Sequence, residues 1–315
     1  DDSSANRATA DVNRCGELLK AAPNGWVMEY YVGKDYSLGG ITLLCRFDGQ
    51  RVTMASQMSE ADETVSSLYS VKSEQATMLS FDTYNYLVHY FGQPQGSMSD
   101  DPNGTLGGDY EFIISSASAE RIELKGKKYG NRIVMKALSE DQTWKQYLTK
   151  IKKVEDDAFF YEYDLLMDGL YTGQMLRSNY TFIVTYYDEI GKVHQKTVPF
   201  MFTADGMRFH EPVTIDGQTM QNFVWKNELI SFVCTDEGAT GIKLAGVYTA
   251  GYQSYDYYPG TYQMDFYRLN DETQQLEVAS QEVRLLKNED GKSYWLKGLE
   301  YAVSYTHLRA HRDRG

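Results

Sequence analysis

Polar and aromatic side chains between Ser80 and Phe91 form the segment of this chain best suited to binding a ligand. Asp82 and Asn85 could orient the hydroxyl groups of a ligand, while Tyr84 stacks on a flat face and His89 adds an imidazole. The alternative is a strand end or turn in which Asp82 and Asn85 bond local backbone groups. The residue types predict a ligand-binding site here, and the turn stays open as the competing interpretation.

Seven tyrosines crowd the stretch from Tyr248 to Tyr267. Tyrosine combines rigid contact area with a hydroxyl group, and Gln253 and Asp256 add hydrogen-bonding groups nearby. The stretch therefore suits a sugar or a protein partner, although tyrosine also occurs on half-exposed strands for reasons of packing. Three glycines within or beside it favour a loop or bulge and hence exposure. The candidate ligand-binding residues of this second cluster are Tyr255, Tyr257 and Tyr258.

An oxygen-rich loop resembles a calcium site in part. Its side chains alternate as calcium ligands do, but position six counted from Asp101 is Leu106 rather than Gly, and no Glu occupies position twelve. A turn rich in Gly and Asp explains the pattern better. No calcium site is predicted from these residues, which are Asp101, Asn103, Thr105, Asp109 and Glu111.

His307 and His311 are four residues apart, a spacing that can place two imidazoles on one helix face for a metal. They lie in the segment 303–311, which resembles a translated adapter peptide, so residues 303–315 are treated as a non-native tail. Neither a metal nor a cofactor is predicted. Haem would need histidine or methionine ligands that face a pocket, and the candidate histidines are His89, His194 and His210.

Catalytic motifs are missing from the chain. GxSxG, HExxH and P-loop patterns do not occur, and no pair of carboxylates can be singled out as acid and base from sequence. We therefore predict a protein that is not an enzyme. A glycan hydrolase that uses a carboxylate pair remains an alternative, which two carboxylates across an open cleft would favour.

Composition narrows the class of protein. The 315 residues carry a formal net charge of −13, which argues against a nucleic-acid partner because phosphate backbones repel acidic surfaces. No apolar run is long enough for a membrane-spanning helix. The three cysteines, Cys15, Cys45 and Cys234, have no CxxC spacing and read as buried apolar residues, with one disulfide as the alternative.

Periodicity predicts a mainly β protein. An amphipathic helix is expected over 5–22 and a second over 139–151, and the other periodic segments read as short strands separated by turn residues. This spacing is typical of barrels or sandwiches. The predicted organisation is an N-terminal helix in 1–22, a first β unit in 23–151 and a second in 152–302, with a charged linker at 152–157. Each β unit is expected to be a lipocalin-like barrel or sandwich.

The two halves also resemble each other. The pattern Thr-Met-x-x-Phe-x-x-x-Asn at 77–85 recurs at 219–227, and an Asp-Gly-x-Arg turn occurs at both 48–51 and 205–208. Such repetition predicts two related β units, with a ligand site between them or in the mouth of each.

A string of short motifs resembles a known family. The motifs are Asn24-Gly25-Trp26, Tyr30-Tyr31, Gly39-Gly40, Phe81-Asp82-Thr83-Tyr84-Asn85, Gly107-Gly108-Asp109-Tyr110-Glu111-Phe112 and Leu124-Lys125-Gly126-Lys127-Lys128. The chain is similar to the Bacteroidetes lipoproteins of domain-of-unknown-function family 4302, in named motifs to about residue 140 and more loosely to about residue 300.

That resemblance implies an outer-membrane location in the cell envelope and the company of nutrient-uptake systems. A lipid anchor is implied by the resemblance alone, because the lipidated cysteine is absent from this chain and Cys15 lies within a predicted helix. The family supplies no catalytic residues. The expected function is a non-enzymatic envelope lipoprotein that binds a nutrient, such as a glycan, or a partner of an outer-membrane uptake complex. A structural accessory lipoprotein without a small ligand is the remaining alternative.

Overall fold

The computed structural model describes residues 3–89, 107–299 and 306–309. Its strands form two closed eight-stranded barrels and one four-stranded sheet. The chain divides into two compact units, residues 1–247 with both barrels and residues 248–315 with the sheet. The predicted fold class, a mainly β protein with an N-terminal helix and two lipocalin-like units, is confirmed.

The first barrel follows helix α1 (Ser4–Ala21), which Ser3 caps by accepting a hydrogen bond from the Asn6 amide at 3.2 Å. Leu19 of α1 joins the barrel core, and the indole N–H of Trp26 donates to the Leu19 carbonyl at 3.0 Å. Each strand pairs antiparallel with the next, and β8 closes the barrel on β1. The strands are β1 (Trp26–Val32), β2 (Gly39–Phe47), β3 (Arg51–Ser56), β4 (Val65–Ser73), β5 (Thr77–Phe81), β6 (Glu111–Ala117), β7 (Arg121–Gly126) and β8 (Arg132–Ala137), with helix α2 (Tyr86–His89) after β5.

The second barrel follows helix α3 (Trp144–Asp157) in the same order of helix and strands. Its first strand closes on its last, with Met167 opposite Ile242. The strands are β9 (Glu162–Met167), β10 (Leu170–Ser178), β11 (Thr181–Tyr187), β12 (Val193–Phe202), β13 (Gly206–Ile215), β14 (Gln218–Lys226), β15 (Ser231–Cys234) and β16 (Ile242–Val247).

Large apolar side chains fill both barrels. An eight-stranded barrel has an interior just wide enough for side chains, and alternate residues of every strand point into it. Each barrel therefore encloses a packed core. Its largest fully buried members are Trp26, Tyr30, Phe81 and Phe112 in the first barrel and Tyr163, Phe182, Phe200, Phe202, Phe209 and Phe232 in the second.

Helix α3 packs against both barrels. Leu148 contacts a cluster on the outer wall of the first barrel with Val27 and Leu44, whereas Ile151 and Val154 join the core of the second. The prediction of a helix over 139–151 followed by a charged linker at 152–157 was wrong at both ends. Thr143 begins the helix with a capping box, and its apolar stripe continues through Val154 beneath the charged residues. Within the described residues, no helix has the length and apolar composition that a membrane crossing requires.

The second unit contains β17 (Gly260–Leu269), β18 (Leu276–Lys287), β19 (Ser293–Lys297) and β20 (Thr306–Arg309), paired in that order. The sequence-based boundary treated 152–302 as a single β unit, whereas the second barrel ends at Val247 and a separate sheet follows. Alternation and turn residues locate strands and favour the pairing of consecutive ones, but they do not show which strands close a barrel and which form a separate sheet.

The helix-plus-barrel arrangement occurs twice, but the sequence matches that suggested a repeat lie on strands that are not equivalent. The segment 77–81 is the fifth strand of its barrel, and 219–223 belongs to the sixth strand of the other. The Asp-Gly turn at 48–49 joins the second and third strands, whereas that at 205–206 joins the fourth and fifth. Hairpins of similar pattern recur throughout a barrel, so short matches do not fix the register of a repeat.

Candidate functional site

The segment predicted to bind a ligand forms a turn after β5. Asn85 is fully buried; its amide nitrogen donates to Ser67 Oγ at 3.1 Å, and its Oδ1 accepts from the Leu87 amide at 3.1 Å. The Asp82 and Tyr84 side chains are exposed on the same turn. The structure thus brings Asp82, Tyr84 and Asn85 together, with Asn85 turned inward, while the side chain of His89 lies outside the described part of the chain.

Two of the family-like motifs meet at one buried carboxylate. Asp109 accepts hydrogen bonds from the backbone amides of Lys128 and Asn131 at 2.9 and 3.2 Å, and from the Asn131 side chain at 2.7 Å. Gly126 leaves the space this requires, because a Cβ there would overlap the Asp109 carboxylate. The Gly-Gly-Asp and Gly-Lys-Lys motifs therefore build the turn between β7 and β8.

The oxygen-rich loop divides between described and undescribed residues. Asp109 is committed to the β7–β8 turn, and Glu111 pairs with Lys72 at 3.1 Å. The structure does not describe Asp101, Asn103, Thr105 or His311. It also does not describe the side chain of His307. Across the part of the chain that is described, no group of three or more His, Cys, Asp or Glu residues is placed to hold a metal ion. The three cysteines are buried free thiols.

A buried ion cluster joins the two barrels. Glu29 of β1 is 7% exposed, and its carboxylate binds Lys136 Nζ at 2.7 Å and the guanidinium of Arg208 from β13 of the other barrel. Burial lowers the pKa values of both Lys136 and Arg208. The paired carboxylate offsets that cost, because an uncompensated buried charge would be strongly destabilising. This cluster is a structural contact that sequence reasoning did not find.

His210 is two residues beyond Arg208 on β13, with its ring 4.3 Å from that of Tyr31 and 4.4 Å from that of Tyr36. Its Nδ1 is buried and has no hydrogen-bond partner among the described residues. Burial lowers the pKa of His210 and Arg132 lowers it further, while Glu211 opposes them. The contact between the barrels therefore favours the neutral form of the His210 imidazole over the charged form.

The Gly39-Gly40 motif lies at the same contact. Gly39 has φ +71°, and a Cβ there would lie 2.6 Å from Tyr180 Cβ and closer still to the Tyr180 carbonyl oxygen. A Cβ at Gly40 would lie 2.9 Å from Met201 Cβ of β12. These glycines let the backbone of β2 approach the second barrel more closely than any other residue type permits.

Some tyrosines of the second unit make internal contacts that support its fold, and others are exposed on its surface. Tyr255 donates to the Ser293 carbonyl at 2.6 Å, and Tyr294 is buried beneath it with ring centroids 4.7 Å apart. Tyr257 and Tyr258 are 62% and 43% exposed and stand edge to face at 5.2 Å. We call the exposed group of Tyr257, Tyr258 and Tyr262 the tyrosine platform.

Contacts within the second unit hold the tyrosine platform in place and add charged groups beside it. Tyr258 packs against Tyr294, and the Tyr262 hydroxyl donates to the Tyr258 carbonyl. Lys287 pairs with Asp256 at the same loop, which adds charged hydrogen-bonding groups beside the exposed rings. The sequence predicted Tyr255 as a ligand contact, whereas the Tyr255 hydroxyl anchors the loop to Ser293. No sequence signal pointed to Tyr294, because its hydroxyl donates to the carbonyl of Tyr255, 39 residues away in the chain. The predicted clusters at 82–89 and 255–258 belong to different units.

Among the residues that the structure describes, the three most buried carboxylates are all engaged internally. Glu29 and Asp109 have the partners described above, and Glu155 of α3 accepts from Tyr180 at 2.9 Å and pairs with Arg177 at 3.3 Å. Arg177 also lies over the rings of Tyr180, Phe200 and Phe202. Such pairs are typical of structural ion contacts, in which each charge satisfies the other.

Two tandem, closely packed, lipocalin-like barrels with a separate β-sheet unit define the class of this protein. The chain belongs to the family described as Domain of unknown function (DUF4302), whose model matches residues 1–227. A second model, DUF4987, likewise described as a domain of unknown function, matches residues 235–308. Comparisons with curated proteins and with solved structures gave no match. The resemblance to the 4302 family is confirmed, and its match ends within the second barrel, before β15 and β16 complete the wall.

Proposed function

We propose that this protein is a non-enzymatic, glycan-binding lipoprotein of the cell envelope that serves an outer-membrane uptake complex. The observation that carries the proposal is the tyrosine platform, in which supported aromatic rings remain open to solvent. Its location and its association with uptake rest on the family resemblance. The two barrels act as a rigid scaffold in this proposal.

The filled interiors favour a surface site over a lipocalin-like cavity. Large aromatic residues occupy the centre of each barrel, so a ligand of sugar size would have to displace core side chains. The platform needs no such rearrangement. Sugar rings present C–H groups that pack on aromatic faces, and their hydroxyls can bond the tyrosine hydroxyls and the Asp256–Lys287 pair.

Isothermal titration of the purified chain with a panel of soluble oligosaccharides tests this proposal. A Tyr257→Ala/Tyr258→Ala variant is expected to lose at least tenfold in affinity for any glycan that binds, since two stacking faces are removed. Tyr171→Ala is the matched control, because Tyr171 is 56% exposed on the second barrel, close to the 62% of Tyr257. It should bind as the wild type does.

Three results would contradict the proposal. Binding to no glycan in the panel would refute the ligand class, and an equal loss in Tyr171→Ala would refute the platform as the site. Release of reducing ends from a bound glycan would refute the non-enzymatic assignment and favour a hydrolase.

A further inference from the structure

The outer half of the β17–β18 hairpin is an exposed ribbon. β17 pairs with β18 over ten residues, from Gly260–Leu285 to Leu269–Leu276, whereas β19 covers β18 only from Arg284 to Lys287. Among the described residues, β17 has no neighbour on its other side. A two-stranded ribbon of this kind is marginally stable in water unless something packs on it.

One face of this ribbon carries an apolar patch at its tip. Cross-strand register places Tyr267 opposite Val278 and Leu269 opposite Leu276, so all four point to the same side. Their exposed fractions are 76%, 62%, 52% and 71%, respectively. We call these four residues the hairpin patch. Contiguous apolar side chains this exposed mark a protein interface on a soluble protein.

We propose that the hairpin patch is a self-association surface, on which a second copy of this chain packs face to face about a two-fold axis parallel to the strands. Such an axis lays β17 of one copy over β18 of the other, as in aligned packing of two sheets. The patch then meets itself, with Tyr267 over Val278 and Leu269 over Leu276 of the second copy.

The charges on the same face are compatible with this arrangement and disfavour a slip of two residues toward the base. In the two-fold stack Asp265 lies over Ser280, Glu282 over Gln263 and Arg284 over Thr261, so no like charges oppose each other. A slip of two residues toward the base would place Asp265 over Glu282, two carboxylates in an interface. The charges therefore favour the closed dimer over an assembly slipped by two residues toward the base.

The area predicts a weak dimer. A ten-residue ribbon is about 33 Å long and about 10 Å wide, so one face covers roughly 330 Å² on each copy. That is below the roughly 800 Å² per partner of a standard stable interface, so assembly is expected at concentrations of about 10–100 µM.

Sedimentation equilibrium over about 1–200 µM tests the proposal, since this range brackets the expected assembly. The mass of the wild type should rise from 36.0 kDa toward twice that value. Leu276→Asp/Val278→Asp should shift association to at least tenfold higher concentration. Ile190→Asp is the control, because Ile190 is 87% exposed on the second barrel, and it should associate as the wild type does.

A second measurement covers the case in which the double variant unfolds. Thr261→Cys at the base of the ribbon, carrying a nitroxide, should show dipolar broadening in its EPR spectrum as concentration rises, because the two Cα atoms lie about 11 Å apart across the axis. The native cysteines are buried and should remain unlabelled. A wild type that stays monomeric to about 200 µM, or one that dimerises without broadening and without sensitivity at Leu276, overturns the proposal.

Discussion

Gly39 offers the sharpest test of how the two barrels are joined. Its substitution by alanine adds a single methyl group at a position where the first barrel's backbone touches Tyr180 of the second. The residue has φ +71°, so the substitution also imposes a left-handed backbone on an L side chain. The two effects can be separated, because the chain contains a glycine that experiences only the second.

That matched control is Gly217, in the turn between β13 and β14. It has φ +73° and nothing within 4 Å of its Cβ position, so Gly217→Ala should cost only the conformational penalty of about 1 kcal/mol. Gly39→Ala carries the same penalty plus the overlap with the Tyr180 backbone. Relieving that overlap must move the barrels apart, at about 1–3 kcal/mol for an overpacked contact. The expected total is about 2–4 kcal/mol.

Urea denaturation followed by circular dichroism, together with calorimetry, measures the difference. Gly39→Ala should lower the free energy of unfolding about 1–3 kcal/mol more than Gly217→Ala does. In calorimetry the melting temperature should fall by roughly 2–4 °C for each kcal/mol. Equal losses in the two variants would show that Gly39 is required only for its backbone conformation, and the close approach of the barrels at this point would be refuted.

Three further predictions concern buried polar groups. Asp109→Ala should lower the free energy of unfolding by about 2–4 kcal/mol in urea denaturation, because it leaves buried hydrogen-bond donors without an acceptor. The control Asp48→Ala removes an acceptor from an exposed turn and should cost about 1 kcal/mol. The pKa of His210 in the folded protein lies below the unfolded value of about 6.5. The free energy of unfolding should therefore fall as pH drops from about 6.5 through the folded pKa. His210→Phe should remove this contribution to the pH dependence of stability, measured by denaturation at several pH values. Burial raises the pKa values of all three thiols, that of Cys234 to about 11, so a thiol reagent at pH 8 should label none before unfolding. Labelling of folded protein, or an unchanged pH slope in His210→Phe, would contradict these assignments.

The family-like motifs were readable as sequence, and their physical meaning became clear only in the folded chain. Trp26 and Phe112 are core residues, as their apolar character suggested. Gly126 and Asp109 lie 17 positions apart in sequence, and their complementarity, one making room for the other, depends on strands brought together by the barrel. Gly39 has its partner in the other barrel altogether.

At the candidate sites, too, residue type indicated a candidate role and the contacts in the folded chain showed each residue's actual one. Residue type identified the tyrosine stretch, but only the contact of Tyr255 with Ser293 and Tyr294 distinguishes the supporting ring from the exposed Tyr257 and Tyr258. At Asn85 the residue type allowed either a ligand contact or a turn, and the contacts with Ser67 and Leu87 show a local structural role. Single-residue chemistry cannot say which way a side chain faces in a turn.

By itself the sequence determined that this is an acidic, mainly β protein with an amphipathic N-terminal helix, because periodicity and composition are local properties. Tertiary structure decided that sixteen strands close into two barrels and that the last four form a separate sheet. It also decided that Glu29 pairs with Arg208, and that His210 packs on Tyr31, across the contact between the barrels. Closure of each barrel pairs its first strand with its last, which lie far apart in the chain, and no local pattern specifies those partners.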